Sequence, residues 1–398
     1  MERFKKNPHI VLTSHRHQMP KLQLPVHWGA SDPHYRAPII ATFTDKTARN
    51  AIGAHSGSYS VYRALSIASG HYSQAHRADL SHTQFSIPIG PYPSWFDPDK
   101  IISLDPWGAI NDYFSQEVQQ GFDLYPTIAA THGKVWISEI SQAIINQRIA
   151  IDHQIVMPTH EICITKIAIE PVWYLPGIAK RLNTTEAHLR KVLFEETGGM
   201  FPELVTRPDL KVLLPPIGGA TAYVLGNPND LAKPEIELTC RIHDECNGSD
   251  VFGSDICTCR PYLIHAFEAA VHTAQQGGVG LIVYFRKEGR ALGEVTKFLV
   301  YNARKKQEGG DQASQYFYQT ECVAGVSDAR FQELMPDVLH WFGITKIDYL
   351  ISMSEVKYRT ICESGITVKE RVTIPEHLIP EDAQVEIQAK KSAGYFSG

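Results

Sequence analysis

Apolar, β-branched runs alternate with helical patterns from residue 236 onward, and this alternation limits the fold more than any other feature of the chain. A short buried apolar run is typical of a strand, and apolar residues repeated every three or four positions are typical of a helix. The predicted strands span 236–242, 279–285 and 347–352, and the predicted helices span 261–275, 291–306, 331–342 and 355–364. This order indicates an α/β (α+β layered) domain, in which helices pack on a sheet.

Prolines and paired glycines interrupt the chain between about 200 and 235, and we place the main domain boundary there. The sequence thus predicts an N-terminal mixed α+β domain at 1–205, a linker at 206–235 and a C-terminal domain at 236–398. Residues 1 to about 40 are rich in His, Pro and Lys and show little periodicity. We expect an extended or irregular arm there.

Helical periodicity in the first domain marks 107–120 and 137–148. Two shorter helical patterns lie within 177–193, and Thr184 or Thr185 is expected to cap the second of them. The pair resembles a DNA-binding helix-turn-helix. A plain helical hairpin is favoured because the chain as a whole is acidic.

The overall charge and the apolar runs exclude several classes of protein. The chain has 38 basic and 43 acidic side chains, a formal net charge of −5, whereas a nucleic-acid-binding surface needs a basic excess. No apolar run reaches the roughly 18 residues of a membrane span, and none follows the basic N-terminus as in a secretory signal. The odd number of cysteines, seven, indicates a reducing compartment, so we expect a cytoplasmic protein.

Three of the cysteines, Cys246, Cys257 and Cys259, form the motif C-x10-C-x-C. Zinc prefers four donors, so three thiolates leave one position open for water, which is typical of a catalytic site. The pKa of a water molecule bound there falls to about 7. The alternative is three buried cysteines without a metal. The polar loop 247–255 between the first two cysteines favours the metal site.

Arg241, His243 and Glu245 precede the first cysteine and share one face of the predicted strand end, because side chains alternate with a period of two. A cation, an imidazole and a carboxylate beside a metal are costly to bury without a function. We therefore expect them to position a substrate or to transfer protons. His243 could also close the zinc site as a fourth ligand, which would make the metal structural.

A loop rich in glycine and arginine joins the second predicted strand of this domain to the next helix. Gly289 and Gly293 allow the backbone to approach a ligand closely. Arg286, Lys287 and Arg290 add positive charge next to the free N–H groups of a helix start. The loop is a candidate phosphate-binding segment, although charged loops of this kind are also common on protein surfaces.

Taken together, these segments resemble the motifs of GTP cyclohydrolase II. The matching residues are Arg241-x-His-x-Glu-Cys246, Cys257-x-Cys259 and Arg286-x-Glu-Gly-Arg290, and the likeness spans about 236–375. The resemblance implies a C-terminal domain with a mixed sheet and flanking helices. It also implies one zinc ion per chain, held by the three cysteines, with Mg²⁺ as an ion that could accompany the phosphates.

The resemblance further implies which residues form the site. The substrate-binding residues would be Arg241, Asp244, Tyr262, Arg286, Glu288, Gly289, Arg290, Ser352 and Lys357. The catalytic residues would be His243, Glu245, Tyr301, Asp328 and Arg330. Asp328 matches the family's proton acceptor, Arg330 the group that attacks or clamps the α-phosphate, and Tyr301 a tyrosine near the reacting ring. Taken singly, these residues could also be an exposed charge pair and a core tyrosine.

The sequence departs from ordinary GTP cyclohydrolase II in two places. The family reads the guanine edge with a glutamine three residues after the last zinc cysteine, where this chain has Tyr262 in the run Cys259-Arg-Pro-Tyr. A site built for a polar edge penalises a mismatch heavily, so Tyr262 disfavours guanine. The N-terminal region, with the run Val26-His-Trp-Gly-Ala-Ser-Asp-Pro33, is similar to the cyclohydrolase-II-like proteins of uracil catabolism.

The leading hypothesis is therefore a zinc-dependent cyclohydrolase that opens the ring of a uracil nucleotide or nucleoside in pyrimidine catabolism. The close alternative is GTP cyclohydrolase II itself, which releases formate and pyrophosphate from GTP for riboflavin biosynthesis. A nucleotide-sensing regulator is a third possibility, but a sensor needs no activated water and hence no intact thiol motif. The resemblance also implies a homodimer.

Overall fold

The computed structural model describes residues 24–41, 48–97, 100, 107, 111–122 and 124–393. Most of the predicted N-terminal arm lies outside these described residues. The contacts divide the chain into two units, each built from several segments. The first comprises described parts of Met1–Thr83, Phe96–Thr127 and Pro171–Pro216, and the second those of Gln84–Trp95, Ile128–Glu170 and Ile217–Gly398.

The strands and helices of the described part are numbered in chain order. The strands are β1 (Ile52–Gly53), β2 (Ile128–Val135), β3 (Ile162–Ile169), β4 (Trp173–Tyr174), β5 (Val212–Leu214), β6 (Ala220–Leu225), β7 (Leu238–Asp244), β8 (Val279–Phe285), β9 (Lys346–Ile351) and β10 (Thr367–Val372). The helices are α1 (Pro33–Arg36), α2 (Ser60–Ala68), α3 (Ser115–Gln119), α4 (Ser138–Ile145), α5 (Leu175–Arg181), α6 (Glu186–Glu196), α7 (Glu203–Thr206), α8 (Asn247–Asp250), α9 (Cys259–Gln275), α10 (Glu294–Lys306), α11 (Tyr316–Ala324), α12 (Pro336–Trp341), α13 (Glu355–Glu363) and α14 (Gln384–Ser392).

The second unit is built on a seven-stranded sheet in the order β10-β9-β7-β8-β6-β3-β2. The first four strands pair in parallel, and β6, β3 and β2 continue the sheet in antiparallel fashion. A parallel strand covered on both faces is apolar along its length, as β8 is over Val279–Val283. The predicted α/β fold class with a mixed sheet and flanking helices is confirmed.

Helices α4 and α9 pack on the sheet and form the main core of this unit. Ile140 of α4 and Ala270 of α9 belong to one buried cluster with Ile282 of β8. The two layers come closest at Gly280, where an added Cβ would lie 2.8 Å from the Cα of Ala270. A strand glycine is needed there because the helix leaves no room for a side chain.

The first unit contains a three-stranded sheet, β1-β5-β4, and the helical pair α5–α6. Thr185 caps α6, because its side chain accepts a hydrogen bond from the backbone N–H of His188 at 3.2 Å. Arg190 of α6 is buried and pairs with Glu186 at 2.7 Å. The predicted helical hairpin and its cap are therefore present. The basic side chain in the middle of α6, Arg190, is buried inside the first unit.

The contact units differ from the domain bounds predicted from the sequence. Strands β2 and β3 precede residue 205 but belong to the second unit, because β3 pairs with β6. The predicted linker 206–235 contains both β5 and β6. Glycine and proline mark local turns, whereas the pairing of distant strands leaves no local signal. Within the described ranges, no helix combines the length and the apolar character needed to cross a membrane.

The close approach at Gly280 gives a test of the packing. We expect Gly280→Ala to lower the free energy of unfolding by about 1–3 kcal/mol, because the new methyl group overlaps Ala270. The matched control is Gly133→Ala in β2, where the added Cβ would meet only the flexible end of Lys166, at 3.2 Å. That change should be neutral or stabilising. Urea unfolding measures the free energy of unfolding of both variants. An equal loss of stability in the two would contradict the close packing at Gly280.

Candidate active site

The carboxyl ends of three parallel strands meet at one edge of the second unit's sheet. Asp244 at the end of β7 lies opposite Phe285 at the end of β8, and Cys240 pairs with Leu350 of β9. Ligands of open α/β sheets bind at this edge. A pocket lies there, lined by residues from the ends of all three strands and from α9, α10 and α14.

The three predicted zinc ligands stand together at this pocket. The Sγ atoms of Cys246, Cys257 and Cys259 lie within 4.8 Å of one another, and those of Cys246 and Cys257 are 3.4 Å apart. Sulfurs bound at about 2.3 Å to a tetrahedral ion lie about 3.8 Å apart, so the donor set fits zinc. Cys259 is the first residue of α9, where the helix dipole favours a thiolate.

The three thiols lie close enough to shift one another's pKa values, upward for Cys246 and Cys259 and downward for Cys257. Hydrogen bonds from Cys246 and Cys259 lower the pKa of Cys257, while its hydrogen bond to Cys257 raises the pKa of Cys246. Three thiolates at this spacing repel one another unless a cation lies between them, and zinc binding deprotonates its thiol ligands.

Lys297 of α10 connects the thiol cluster with the arginine-glycine loop, which spans residues 284–293. Its Nζ lies 3.0 Å from the Sγ of Cys246 and 2.8 Å from Oε1 of Glu288. Burial lowers the pKa of Lys297, but hydrogen bonds to Cys246 and Glu288 raise it, and the net direction is upward. Glu288 also accepts from the backbone N–H groups of Asn247, at 2.6 Å, and Gly289, at 2.9 Å. Its carboxylate therefore joins the loop 247–255, between the first two cysteines, to the arginine-glycine loop.

His243 is buried and held from both sides. Arg241 Nε donates to its Nδ1 at 3.1 Å, and because arginine only donates, Nδ1 must be the unprotonated nitrogen. The opposite nitrogen, Nε2, lies 3.1 Å from both carboxylate oxygens of Asp250. Burial lowers the pKa of His243, consistent with a neutral ring. Both nitrogens are engaged, so His243 is not placed as a fourth zinc ligand.

A network of charges occupies the other end of the pocket. Oδ2 of Asp244 lies 2.7 Å from Lys357 Nζ and 2.7 Å from a terminal nitrogen of Arg330. Arg330 Nε also donates to Asp328, at 2.9 Å, and its backbone carbonyl accepts from Lys287 Nζ at 2.7 Å. Three cationic groups are thus gathered around one buried carboxylate, an arrangement that can receive an anion.

Three groups of the site have shifted pKa values. Burial lowers the pKa of Lys357 to about 8, because desolvation outweighs the attraction of Asp244. Burial raises the pKa of Asp328 and the Arg330 guanidinium lowers it, and the second effect prevails. Burial also raises the pKa of Glu245. Lys357 can therefore change charge near neutral pH, and Asp328 remains ionised.

The two tyrosines predicted in the site differ in surroundings. Tyr262 is 4% exposed, and the guanidinium of Arg241 lies 4.9 Å from its ring centre. Burial raises the pKa of Tyr262, against a hydrogen bond from the backbone of Ile374. Tyr301 lies on α10, one turn beyond Lys297, whose Nζ is 5.9 Å from the tyrosine ring. Tyr262 thus supports Arg241, whereas Tyr301 borders the open pocket.

The structure brings most of the predicted site residues together. Those that line the pocket are Arg241, His243, Asp244, Glu245, Cys246, Cys257, Cys259, Tyr262, Glu288, Gly289, Arg290, Tyr301, Arg330, Ser352 and Lys357. Asp328 reaches the site through its pairing with Arg330. Arg286 is not brought into the pocket: it is exposed, lies over the ring of Tyr284 and donates to Thr221 of β6 at 3.3 Å.

Four charged residues of the site are not among those predicted from the sequence. Three of them, Lys297, Glu386 and Lys390, line the pocket. The fourth, Asp250, orders the loop 247–255 through hydrogen bonds with His243, the backbone N–H of Cys246 and the hydroxyl of Tyr284. Asp250 stands in the polar loop between the cysteines, which was the available signal. The other three belong to helices, where single charges usually face solvent.

The fold and site thus define a class of α/β proteins that place a three-thiol cluster and several cationic side chains in one pocket at the carboxyl ends of parallel strands. Comparison with known families identifies the class. Residues 218–373 match the family GTP cyclohydrolase II, and residues 8–196 match GTP cyclohydrolase N terminal. The chain belongs to the GTP cyclohydrolase II family, which confirms the resemblance predicted from the motifs.

Individual relatives agree with this assignment. The chain is 51% identical over 392 residues to Uracil-regulated protein 1 of Schizosaccharomyces pombe, covering 98% of this chain and 89% of that protein. It is also 51% identical to a Lachancea kluyveri protein provisionally named as the GTP cyclohydrolase URC1, over 94% and 85% of the two chains. GTP cyclohydrolase-2 of Neisseria gonorrhoeae is 33% identical over 38% of this chain and 70% of its own.

The contact between Lys297 and Cys246 predicts an effect on metal affinity. Residues that contact metal ligands typically change affinity by about 10–100-fold when replaced. We expect Lys297→Met to weaken zinc binding within this range, because the ammonium no longer stabilises the Cys246 thiolate. Competition with a chromogenic chelator measures it. The control is Lys305→Met on the same helix, whose side chain is 49% exposed; equal affinities for the two variants would refute the role.

Proposed function

We propose that this protein is a zinc-dependent hydrolase that opens the base ring of a uracil nucleotide or nucleoside. The observation that carries the proposal is a single pocket that joins a three-thiol cluster to buried cations. The thiols suit a metal that activates water, and the cations suit phosphate. The name of the Schizosaccharomyces pombe relative, Uracil-regulated protein 1, supports a substrate that contains uracil.

Cys246, Cys257 and Cys259 would hold the zinc ion. When bound, such an ion lowers the pKa of a coordinated water to about 7 and so makes a nucleophile available at neutral pH. Lys297 and the start of α9 stabilise the negative charge of the thiolates. At this end of the pocket the protein would supply three thiolate ligands and leave the fourth coordination position of the ion free for water.

The cation cluster would anchor the phosphate. Arg330 and Lys357 both line the pocket and already share the carboxylate of Asp244. A phosphate has several acceptor oxygens and can take bonds from both cations while Asp244 keeps them in place. Binding energy from this remote group then holds the base beside the thiol cluster, which favours reaction by orientation.

Ring opening needs two proton movements, and the pocket offers groups for both. Water adds across an amide C–N bond of the ring: the carbon keeps the hydroxyl, the nitrogen takes a proton, and nothing leaves. The family resemblance assigns the acceptor role to Asp328, which is ionised and reaches the pocket through its pairing with Arg330. Glu245, whose pKa is raised by burial, suits delivery of the proton to nitrogen. Tyr301 would border the reacting ring.

GTP is the second candidate substrate. The similarity to GTP cyclohydrolase-2 of Neisseria gonorrhoeae favours it, as does the match of residues 218–373 to the GTP cyclohydrolase II family, since those residues contain the thiol and cation motifs. Tyr262 argues against it, because the phenol lies under Arg241 and offers no amide to the guanine edge. The homodimer and the Mg²⁺ that could accompany the phosphates belong to the same proposal.

Substrate and metal are tested together. We expect the zinc-loaded protein to remove the ring absorbance of UMP, UTP or uridine, and Cys257→Ser to abolish this activity because two thiolates hold zinc weakly. The matched control is Cys322→Ser, an exposed cysteine on α11. Formate release from GTP without loss of uracil absorbance would favour the second substrate, and full activity of Cys257→Ser would refute the metal-dependent mechanism.

The lowered pKa of Lys357 predicts how binding depends on pH. As the pH rises through about 8, Lys357 loses its charge in the free protein, so the affinity for ribose 5-phosphate, which carries no titrating base, should fall by about tenfold between pH 7 and 9.5. The phosphate stays dianionic over this range and does not contribute to the change. Lys357→Gln should bind weakly and without this pH step. Calorimetric titration measures both, and the same step in the variant would exclude Lys357 as its source.

A further inference from the structure

A buried ion pair on α14 faces the same pocket. Glu386 and Lys390 stand one helical turn apart, and their side chains, 9% and 17% exposed, are in direct contact. Both residues line the pocket together with the thiols. A buried ion pair contributes little to stability, because desolvation of the two charges offsets their attraction. Stability alone therefore does not account for the position of this pair.

The helix that carries the pair is firmly placed. Ile387 and Ala389 are 3% and 2% exposed, and Ile387 belongs to the same core cluster as Tyr262 and Ile374. Helix α14 begins after residue 373, where the match to the GTP cyclohydrolase II family ends. The ion pair is thus added to the pocket by a segment that the family motifs do not specify.

The pair shares the pocket with the thiol cluster and with the tyrosine assigned to the reacting ring. Glu386 and Lys390 line it together with Cys259 and Tyr301. Ile387, the residue after Glu386, packs in one core cluster with Tyr262 of α9, the helix that begins with Cys259. Helix α14 therefore brings the pair to the pocket beside the helix that carries a proposed metal ligand.

We propose that Glu386 and Lys390 contact the substrate base and set a preference for the uracil edge over the guanine edge. The inference rests on the proposed function and deepens it. Uracil presents two carbonyls on either side of one N–H, whereas guanine presents one carbonyl, one N–H and one amino group. Lys390 and Arg241 can only donate and Glu386 can only accept. The protein's two donors and one acceptor match the two carbonyls and the N–H of uracil. On guanine, the amino group would face a protein donor where it needs an acceptor.

The experiment compares ligands with and without a base. Calorimetric titration of the full, zinc-loaded chain uses UMP, GMP and ribose 5-phosphate, which keeps the phosphate anchor and lacks the base. We expect Glu386→Gln and Lys390→Met to weaken UMP binding by about 10–100-fold, the range for a hydrogen bond to a charged group. Their affinity for ribose 5-phosphate should stay within twofold of the unmodified protein. The UMP-to-GMP preference should fall accordingly.

Two further variants keep the result interpretable. Lys391→Met alters the neighbouring lysine of α14, which is 41% exposed, and should leave all three affinities unchanged. If a single variant fails to fold, the double variant Glu386→Met, Lys390→Met leaves no unpaired buried charge. Thermal unfolding of each protein verifies the fold. The double variant should also lose the UMP preference.

The outcomes separate this inference from the proposed function. Unchanged UMP affinity, or an equal loss for UMP and ribose 5-phosphate, shows that the pair is merely structural and overturns the inference, while ring opening by the unmodified protein leaves the function intact. A lost UMP preference in the variants supports the inference. If that loss occurs in a protein that opens no uracil ring, base recognition stands and the hydrolase proposal fails.

Discussion

The parallel pairing of β7 with β8 and β9 is the constraint on which the site depends. Parallel strands align their carboxyl ends, so the residues that follow three distant strand segments arrive at one edge of the sheet. The segment with the three cysteines follows β7, the arginine-glycine loop follows β8, and Ser352 and Lys357 follow β9. A change of register by one residue would send Arg241 and His243 to the opposite face. The core that fixes this register is therefore part of the functional site.

Three carboxylates hold these segments in place. Asp250 connects His243 with the backbone of Cys246, Asp244 connects Lys357 with Arg330, and Glu288 connects the loop 247–255 with Lys297. Each carboxylate accepts several hydrogen bonds, so its desolvation is offset by its partners. The cations are thereby oriented before a ligand arrives, and little reorganisation remains for binding.

The sequence predicted β7, β8, β9 and the helices α9, α10, α12 and α13 within a few residues, because buried strands such as 279–285 and periodic helices have strong local patterns. It did not predict β10, α11 or α14. It also predicted the thiol cluster, since closely spaced cysteines around a polar loop are typical of a metal site. It could not predict that β2 and β3 join this sheet, because pairing between distant strands leaves no local trace. Lys297 is not among the residues predicted for the site, because a single charge on a helix usually faces solvent. Arg286 is predicted to bind the substrate but is exposed outside the pocket.

Helix α9 begins with a proposed metal ligand and continues into the core, so metal binding at the thiols and packing of the helix are connected. Its first residue is Cys259, while Ala270, three turns along, packs against Gly280. An ion held by the thiols would therefore also anchor the helix that covers the sheet, and ligand binding of this kind adds to folding stability. The first turn of α9 would then be the part of this core whose order depends most directly on the metal.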